Sequence, residues 1–164
     1  MGKLVILRGN SGSGKSSLAR LLQRELGRNT LVIPQDTVRR DMLWARDGAD
    51  TAALPLLRTL LRYGYEHREV TVLEGILYAD WYRPLFRDAA ELFGEDIFAY
   101  YYDLPFEETL RRHETKPNRS DFGEEAMRRW WREKDYIGFI PETVIGQEVT
   151  LEAAAERILK EVST

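Results

Sequence analysis

Short apolar runs and helix-spaced apolar stripes alternate along this chain. The runs, rich in branched side chains, predict strands over residues 3–7, 30–34, 70–73, 97–102 and 143–145. Helical spacing predicts helices over 15–26, 37–46, 52–68, 82–92, 106–113, 124–136 and 151–161. In the first of these, Leu18, Ala19, Leu21, Leu22 and Leu26 form the stripe and Gly27 supplies the stop. Strands alternating with helices predict the α/β class, with a parallel sheet covered on both faces. Residues 116–123 contain Pro, Asn, Ser, Asp and Gly, and read as a loop between two helices. There is no repeat, low-complexity tract or linker, so 1–164 reads as a single domain. Ligands of such sheets bind beyond the carboxyl ends of the strands, which directs attention to the residues following each one.

After the first strand stands Gly9-Asn10-Ser11-Gly12-Ser13-Gly14-Lys15-Ser16, which fits G-x-x-x-x-G-K-[ST], the phosphate-binding P-loop. Strand, glycine loop and helix follow in the order this motif requires. Gly9, Gly12 and Gly14 allow positive φ and let backbone approach phosphate oxygens with no Cβ between. The N–H groups of residues 12 to 16 would then point at the anion from a helix N-terminus. Asn10, Ser11, Gly12, Ser13, Gly14, Lys15, Ser16 and Ser17 are the expected nucleotide-binding set. Lys15 reaches the β- and γ-phosphates, and Ser16 ligates Mg²⁺. The competing reading is a glycine-serine turn that only caps a helix.

Composition removes other chemistries. With 24 Lys and Arg against 27 Asp and Glu, the net charge of −3 gives no sign of a general polyanion binder. The chain has no Cys, which excludes disulfides, thiolate metal sites and cysteine catalysis. Two histidines, His67 and His113, are too few for a His-based metal site and read as polar helix residues. No signal peptide is recognisable, and no stretch approaches the ~20 apolar residues of a membrane span, so a cytoplasmic protein is expected.

Asp36 follows the second strand, at a helix start. Phosphoryl transfer to a hydroxyl needs a carboxylate that orients the hydroxyl and takes its proton, and Asp36 is the candidate. Arg39, a turn later, faces the same way and can hold an anionic or polar acceptor. The bland alternatives are a helix cap for Asp36 and a surface role for Arg39. Glu74 ends the third apolar run, where a carboxylate is costly to bury alone; it is placed to hold Mg²⁺ or the acceptor, or to form a buried ion pair. Asp103 reads equally as a cap or as a functional group. Arg112, Lys116 and Arg119 carry one sign of charge at helical or loop spacing, as a lid meeting the transferring phosphoryl would, or as a solvated basic face would. Trp81, Tyr82, Trp130, Trp131, Tyr63, Tyr65 and Tyr78 suit either stacking on a flat acceptor or packing.

With these residues in place the chain resembles the P-loop kinases of small molecules and nucleic-acid ends. The likeness runs through RGNSGSGKSS, IPQDTVRRD, VLEGIL and YYDLPFEETLRRHETKPN, nearly the whole length. QD followed by LEGIL resembles uridine kinases, whose aspartate is the base and whose glutamate lies at the acceptor. Asp36-x-x-Arg39 resembles polynucleotide 5′-kinases, whose arginine binds the phosphate beside the reacting hydroxyl. Chloramphenicol phosphotransferases and gluconate or shikimate kinases share the compact layout. The chain departs from uridine kinases in being shorter, and from shikimate kinases in having Glu74-Gly75 where they carry a glycine pair. The resemblance implies a three-layer P-loop NTPase fold, a five-stranded parallel sheet of order 2-3-1-4-5, and a helical lid over about 112–127 with Arg112 and Lys116 as its cations. It implies an ATP- and Mg²⁺-dependent kinase acting on a hydroxyl of a small molecule. A polynucleotide 5′-kinase, or a nucleotide switch without acceptor chemistry, stays open as an alternative.

Overall fold

The first strand alternates strictly. Leu4 and Ile6 pack to one side of the sheet, Val5 and Leu7 to the other, and all four are fully buried. A central strand covered on both faces is the reason this run carries no outward polar position before Arg8. The computed structural model describes residues 2–117 and 119–164. Its strands are β1 (Lys3–Gly9), β2 (Leu31–Pro34), β3 (Val70–Gly75), β4 (Ile97–Tyr102) and β5 (Glu142–Ile145). They form one parallel sheet of order β2-β3-β1-β4-β5, as expected.

Helices α1 (Lys15–Leu26) and α7 (Leu151–Ser163) cover the Val5 face, where Leu18, Leu22, Ala155 and Ile158 close the core. Helices α3 (Ala53–His67) and α4 (Arg83–Phe93) cover the Leu4 face through Leu57, Leu61, Leu85 and Phe86. Two shorter helices, α5 (Phe106–Glu114) and α6 (Glu124–Trp130), flank and partly overlap the segment expected as a lid. The loop expected over 116–123 runs as turns where it is described; Asn118 lies outside the described residues. Among the described residues no helix is long and apolar enough to cross a membrane.

Two predicted helices differ. The one expected over 37–46 starts earlier and ends sooner: α2 is Gln35–Thr37, continued by a π turn over Val38–Met42. The cause is local. Ala45 N–H donates to the Arg39 carbonyl at 2.8 Å, and Arg39 Nη1 donates to the Ala45 carbonyl at 3.1 Å. This wide loop folds back on Arg39 and leaves Trp44 at φ 51° and 93% exposed. The helix expected over 124–136 stops at Trp130 because the backbone of Arg132 is captured by Asn10, described below.

Register sets the site. Pro34 stands opposite Glu74, Arg8 opposite Gly75, and Gly9 opposite Tyr102. The P-loop, the start of α2 and Glu74 therefore emerge side by side at one edge of the sheet.

Candidate active site

The P-loop turns on Gly12 and Gly14, at φ 82° and 107°, conformations that side chains resist. Gly12 also has no room for one: a Cβ there would lie 2.5 Å from the Thr109 carbonyl of α5. Lys15 Nζ is buried and donates to the Asn10 carbonyl at 3.0 Å and to Ser13 Oγ at 3.3 Å. Burial pulls its ammonium down to about 8, with Glu74 opposing and Lys116 adding to the shift. Ser16 Oγ donates to Glu74 Oε2 at 3.0 Å. Burial pushes the Glu74 carboxyl above its ordinary value, against the pull of Lys15 and the Ser16 hydroxyl.

A cavity of about 520 Å³ opens over these groups. Ser11, Gly12, Lys15 and Ser16 line it from the loop, Glu74 from β3, Asp36 from α2, Arg39 from the π turn that follows it, and Lys116 from the segment after α5. Burial lowers the Lys116 ammonium too, with Glu74 opposing. Ser16, Ser17 and Lys116 also border a second hollow beside α1, with Arg20 and Arg24.

Arg112 stands behind the loop. It donates through Nη1 to the Ser13 carbonyl at 2.8 Å and through Nε to Glu108 Oε2 at 2.7 Å. Asn10 and Ser13 work within the loop, Ser13 through Lys15. Asn10 Nδ2 donates to the Arg132 carbonyl at 2.7 Å, and Arg132 N–H donates to Asn10 Oδ1 at 2.9 Å. Asp103 pairs with Lys134, and no side chain caps α5. His113, expected to be a polar helix residue, is buried. Its Nε2 lies 2.8 Å from the Phe122 carbonyl and its ring stacks on Phe122, fastening the α5–α6 connection to α5.

At the start of α2, Asp36 Oδ1 accepts from Arg39 Nη2 at 3.0 Å and pairs with Arg40 Nε at 2.9 Å; Oδ2 has no ion-pair partner among the described residues. Arg39 reaches on to Asp47 at 3.7 Å. Asp47 Oδ1 accepts from the Tyr82 hydroxyl at 2.5 Å, and Tyr82 accepts from Gln35 Nε2 at 2.8 Å. This chain fixes the start of α2 to α4 and with it the position of Asp36. Asp47 and Gln35 were missed in the sequence as parts of the site; Tyr82, left open between stacking and packing, is the buried link between them.

The layout matches a known fold. A family model described as "AAA domain" matches residues 4–134, well over half the chain. The chain belongs to the AAA domain family. No curated protein matches it by sequence. Among solved structures, this AAA domain is similar to the Mycobacterium tuberculosis APS kinase CysC in complex with AMPPNP and APS (TM-score 0.68, 23% identity, 99% of this chain and 98% of that one). It is similar to a gluconokinase from Sinorhizobium meliloti 1021 (TM-score 0.67, 15% identity, 99% and 91%). A shikimate kinase from Bacteroides thetaiotaomicron also matches (TM-score 0.61, 15% identity, 99% and 99%). The three-layer α/β fold of these P-loop kinases is thus the fold of this AAA domain.

Proposed function

We propose that the chain is an ATP- and Mg²⁺-dependent phosphotransferase that moves the γ-phosphoryl group to a hydroxyl of a small molecule. The observation that carries this is the shared cavity: phosphate-binding Lys15 and Ser16, buried Glu74, Asp36 and the lid cation Lys116 all face one space. A phosphate cradle alone would serve a switch; a carboxylate across the same cavity from it serves transfer. The kinases of similar fold named above support the reading. It takes 1–164 as one kinase unit, with the lid over about 112–127.

The loop N–H groups and Lys15 would hold the triphosphate, and Arg112 would brace the loop through Ser13. The oxygens of Ser16 and Glu74, 3.0 Å apart, suit Mg²⁺, which prefers hard oxygen donors completed by phosphate and water. Bound there with the nucleotide, the metal would neutralise developing phosphate charge. Asp36 orients the acceptor hydroxyl and takes its proton as the oxygen bonds to the γ-phosphorus and the bridging oxygen leaves with ADP. Lys116 stabilises charge on the phosphoryl group in transit.

The test is transfer of γ-labelled phosphate from ATP to pooled nucleosides, sugars, antibiotics and 5′-hydroxyl oligonucleotides, with Asp36→Asn beside the parent protein. Label in a small-molecule pool, reduced about 10²–10⁴-fold by the substitution, is expected. Label only in free phosphate, equal in both proteins, would sink the reading in favour of a hydrolytic switch.

A further inference from the structure

The cavity has a second chemistry besides its phosphate-loop groups. Tyr78, Trp81, Trp130 and Trp131 line it. A polyol site needs a polar partner for each hydroxyl, which four large aromatics supply poorly; they offer faces and edges for a flat ring. The wall is already fixed. Tyr78 meets Trp81 edge-on with centroids 4.8 Å apart, and its hydroxyl donates to the Trp130 carbonyl. The Arg132 guanidinium lies 3.7 Å from the Tyr78 ring centroid and is itself held by Asp80 at 2.7 Å, so it props the wall.

Arg39, Arg40 and Arg129 line the cavity together with Asp36 and Asp47, three cations to two carboxylates. Arg39 is shared between the two carboxylates and Arg40 is bound to Asp36. Arg129 forms no ion pair among the described residues, and the Arg40 guanidinium lies 6.0 Å from the Trp130 ring, next to the wall. A ligand here must therefore offer a flat ring, an anion and, for Asp36, an alcohol.

Resting on the kinase reading above, we propose that the acceptor is a nucleoside phosphate: its base lies on the Tyr78–Trp81–Trp130 wall, Arg129 and Arg40 take its phosphate, and a ribose hydroxyl meets Asp36. The ribose O–H gives its proton to Asp36, its oxygen bonds to the γ-phosphorus, and the β–γ bridging bond breaks to release ADP.

The experiment uses matched probes: uridine 5′-monophosphate, uridine, which lacks the anion, and ribose 5-phosphate, which lacks the ring; cytidine and guanosine sets repeat the comparison. The expected result is kcat/KM for the best monophosphate about tenfold or more above both its nucleoside and ribose 5-phosphate, the scale of one charge-assisted hydrogen bond or a stacked ring. Arg129→Gln, a change at an exposed position, should raise KM for that monophosphate about tenfold and narrow its lead over the nucleoside. A second readout needs no turnover. With the ATP site filled by a non-hydrolysable analogue and Mg²⁺, the monophosphate should quench tryptophan emission, ribose 5-phosphate should not, and Trp81→Leu should weaken the quench.

Ribose 5-phosphate or the nucleoside equalling the monophosphate in transfer overturns the inference and leaves the kinase reading standing. Quenching by the monophosphate with no transfer to it overturns the inference that it is the acceptor, and the kinase reading then rests on the pooled-acceptor transfer. Neither quenching nor transfer with any monophosphate overturns the inference.

Discussion

Asn10 and Arg132 hold each other through two hydrogen bonds, one in each direction, across 122 residues of chain. One end of this link is the P-loop. The other is the segment that follows α6, where Trp130 and Trp131 precede Arg132 in the cavity lining. The P-loop and the aromatic part of the cavity lining are thus tied by one side chain. Asn10→Ala leaves a backbone N–H and a carbonyl of Arg132 without partners, each costing about 1–2 kcal/mol where water cannot replace the amide. The variant should melt roughly 4–10 °C lower. It should also raise KM for nucleotide and acceptor together. Differential scanning calorimetry with steady-state kinetics checks this; a KM change for nucleotide alone would mean that the link does not reach the acceptor side.

Arg8 is the second tie, and it lies deeper. Fully buried at the end of β1, it pairs with Glu142 of β5 at 2.9 Å and with Asp135 at 3.0 Å, and donates to the Leu77 carbonyl at 2.9 and 3.2 Å. Removing one member strands buried charge. Arg8→Met should cost about 3–5 kcal/mol. Combining it with Glu142→Gln and Asp135→Asn should restore a good part of that loss, because the stranded charges go with their partner. Chemical denaturation of the single and triple variants measures both. No recovery in the triple variant would show that Arg8 acts by packing against Phe86 and Tyr101 instead.

The parallel α/β class and the P-loop were legible because both rest on local pattern, alternating apolar runs and glycines at fixed spacing; the strand order came from the resemblance those motifs carry. Glu74 was legible by a simple rule, that a charge closing a buried apolar run needs a partner. Arg8 obeys the same rule after Leu4-Val5-Ile6-Leu7, one position before the loop, and the signal was there to be used. The early ends of α2 and α6 were not legible. No Pro or Gly marks either one, since the Arg39–Ala45 loop and the Asn10 capture of Arg132 are contacts made only in the folded chain. The Gln35–Tyr82–Asp47 chain is equally non-local, joining three separate segments.

Gly12 joins the loop to the lid. Its φ of 82° excludes ordinary side chains, and a Cβ would also come within 3.0 Å of Met127 Cε on α6. Gly12→Ala must therefore push the loop away from α5 and α6 or strain the backbone, at about 1–3 kcal/mol. We expect ATP affinity to fall about tenfold or more as the N–H groups lose their alignment, the scale of 1.4 kcal/mol per decade. Titration with a non-hydrolysable ATP analogue checks it. Near-parental affinity would mean that the loop does not cradle phosphate in this conformation.

With Lys15 holding the phosphates as proposed, it should set the pH range of nucleotide binding. Burial holds its ammonium near 8, well below the ordinary lysine value of 10.5. Phosphates beside it favour the charged form and raise that value in the complex. Below pH 8 the side chain is charged before binding, so affinity there is flat with respect to this group. Above pH 8 binding must take up a proton, and affinity should fall about tenfold for each unit until the value of the complex is reached. Calorimetric titration in two buffers of different ionisation enthalpy at pH 9 should therefore show proton uptake, and little of it at pH 7. Lys15→Met should bind weakly at every pH and lose the dependence above 8. A parental affinity that stays level to pH 9.5 would place the Lys15 ammonium at an ordinary value, and with it outside the dry setting that Asn10, Ser13 and Glu74 build around it.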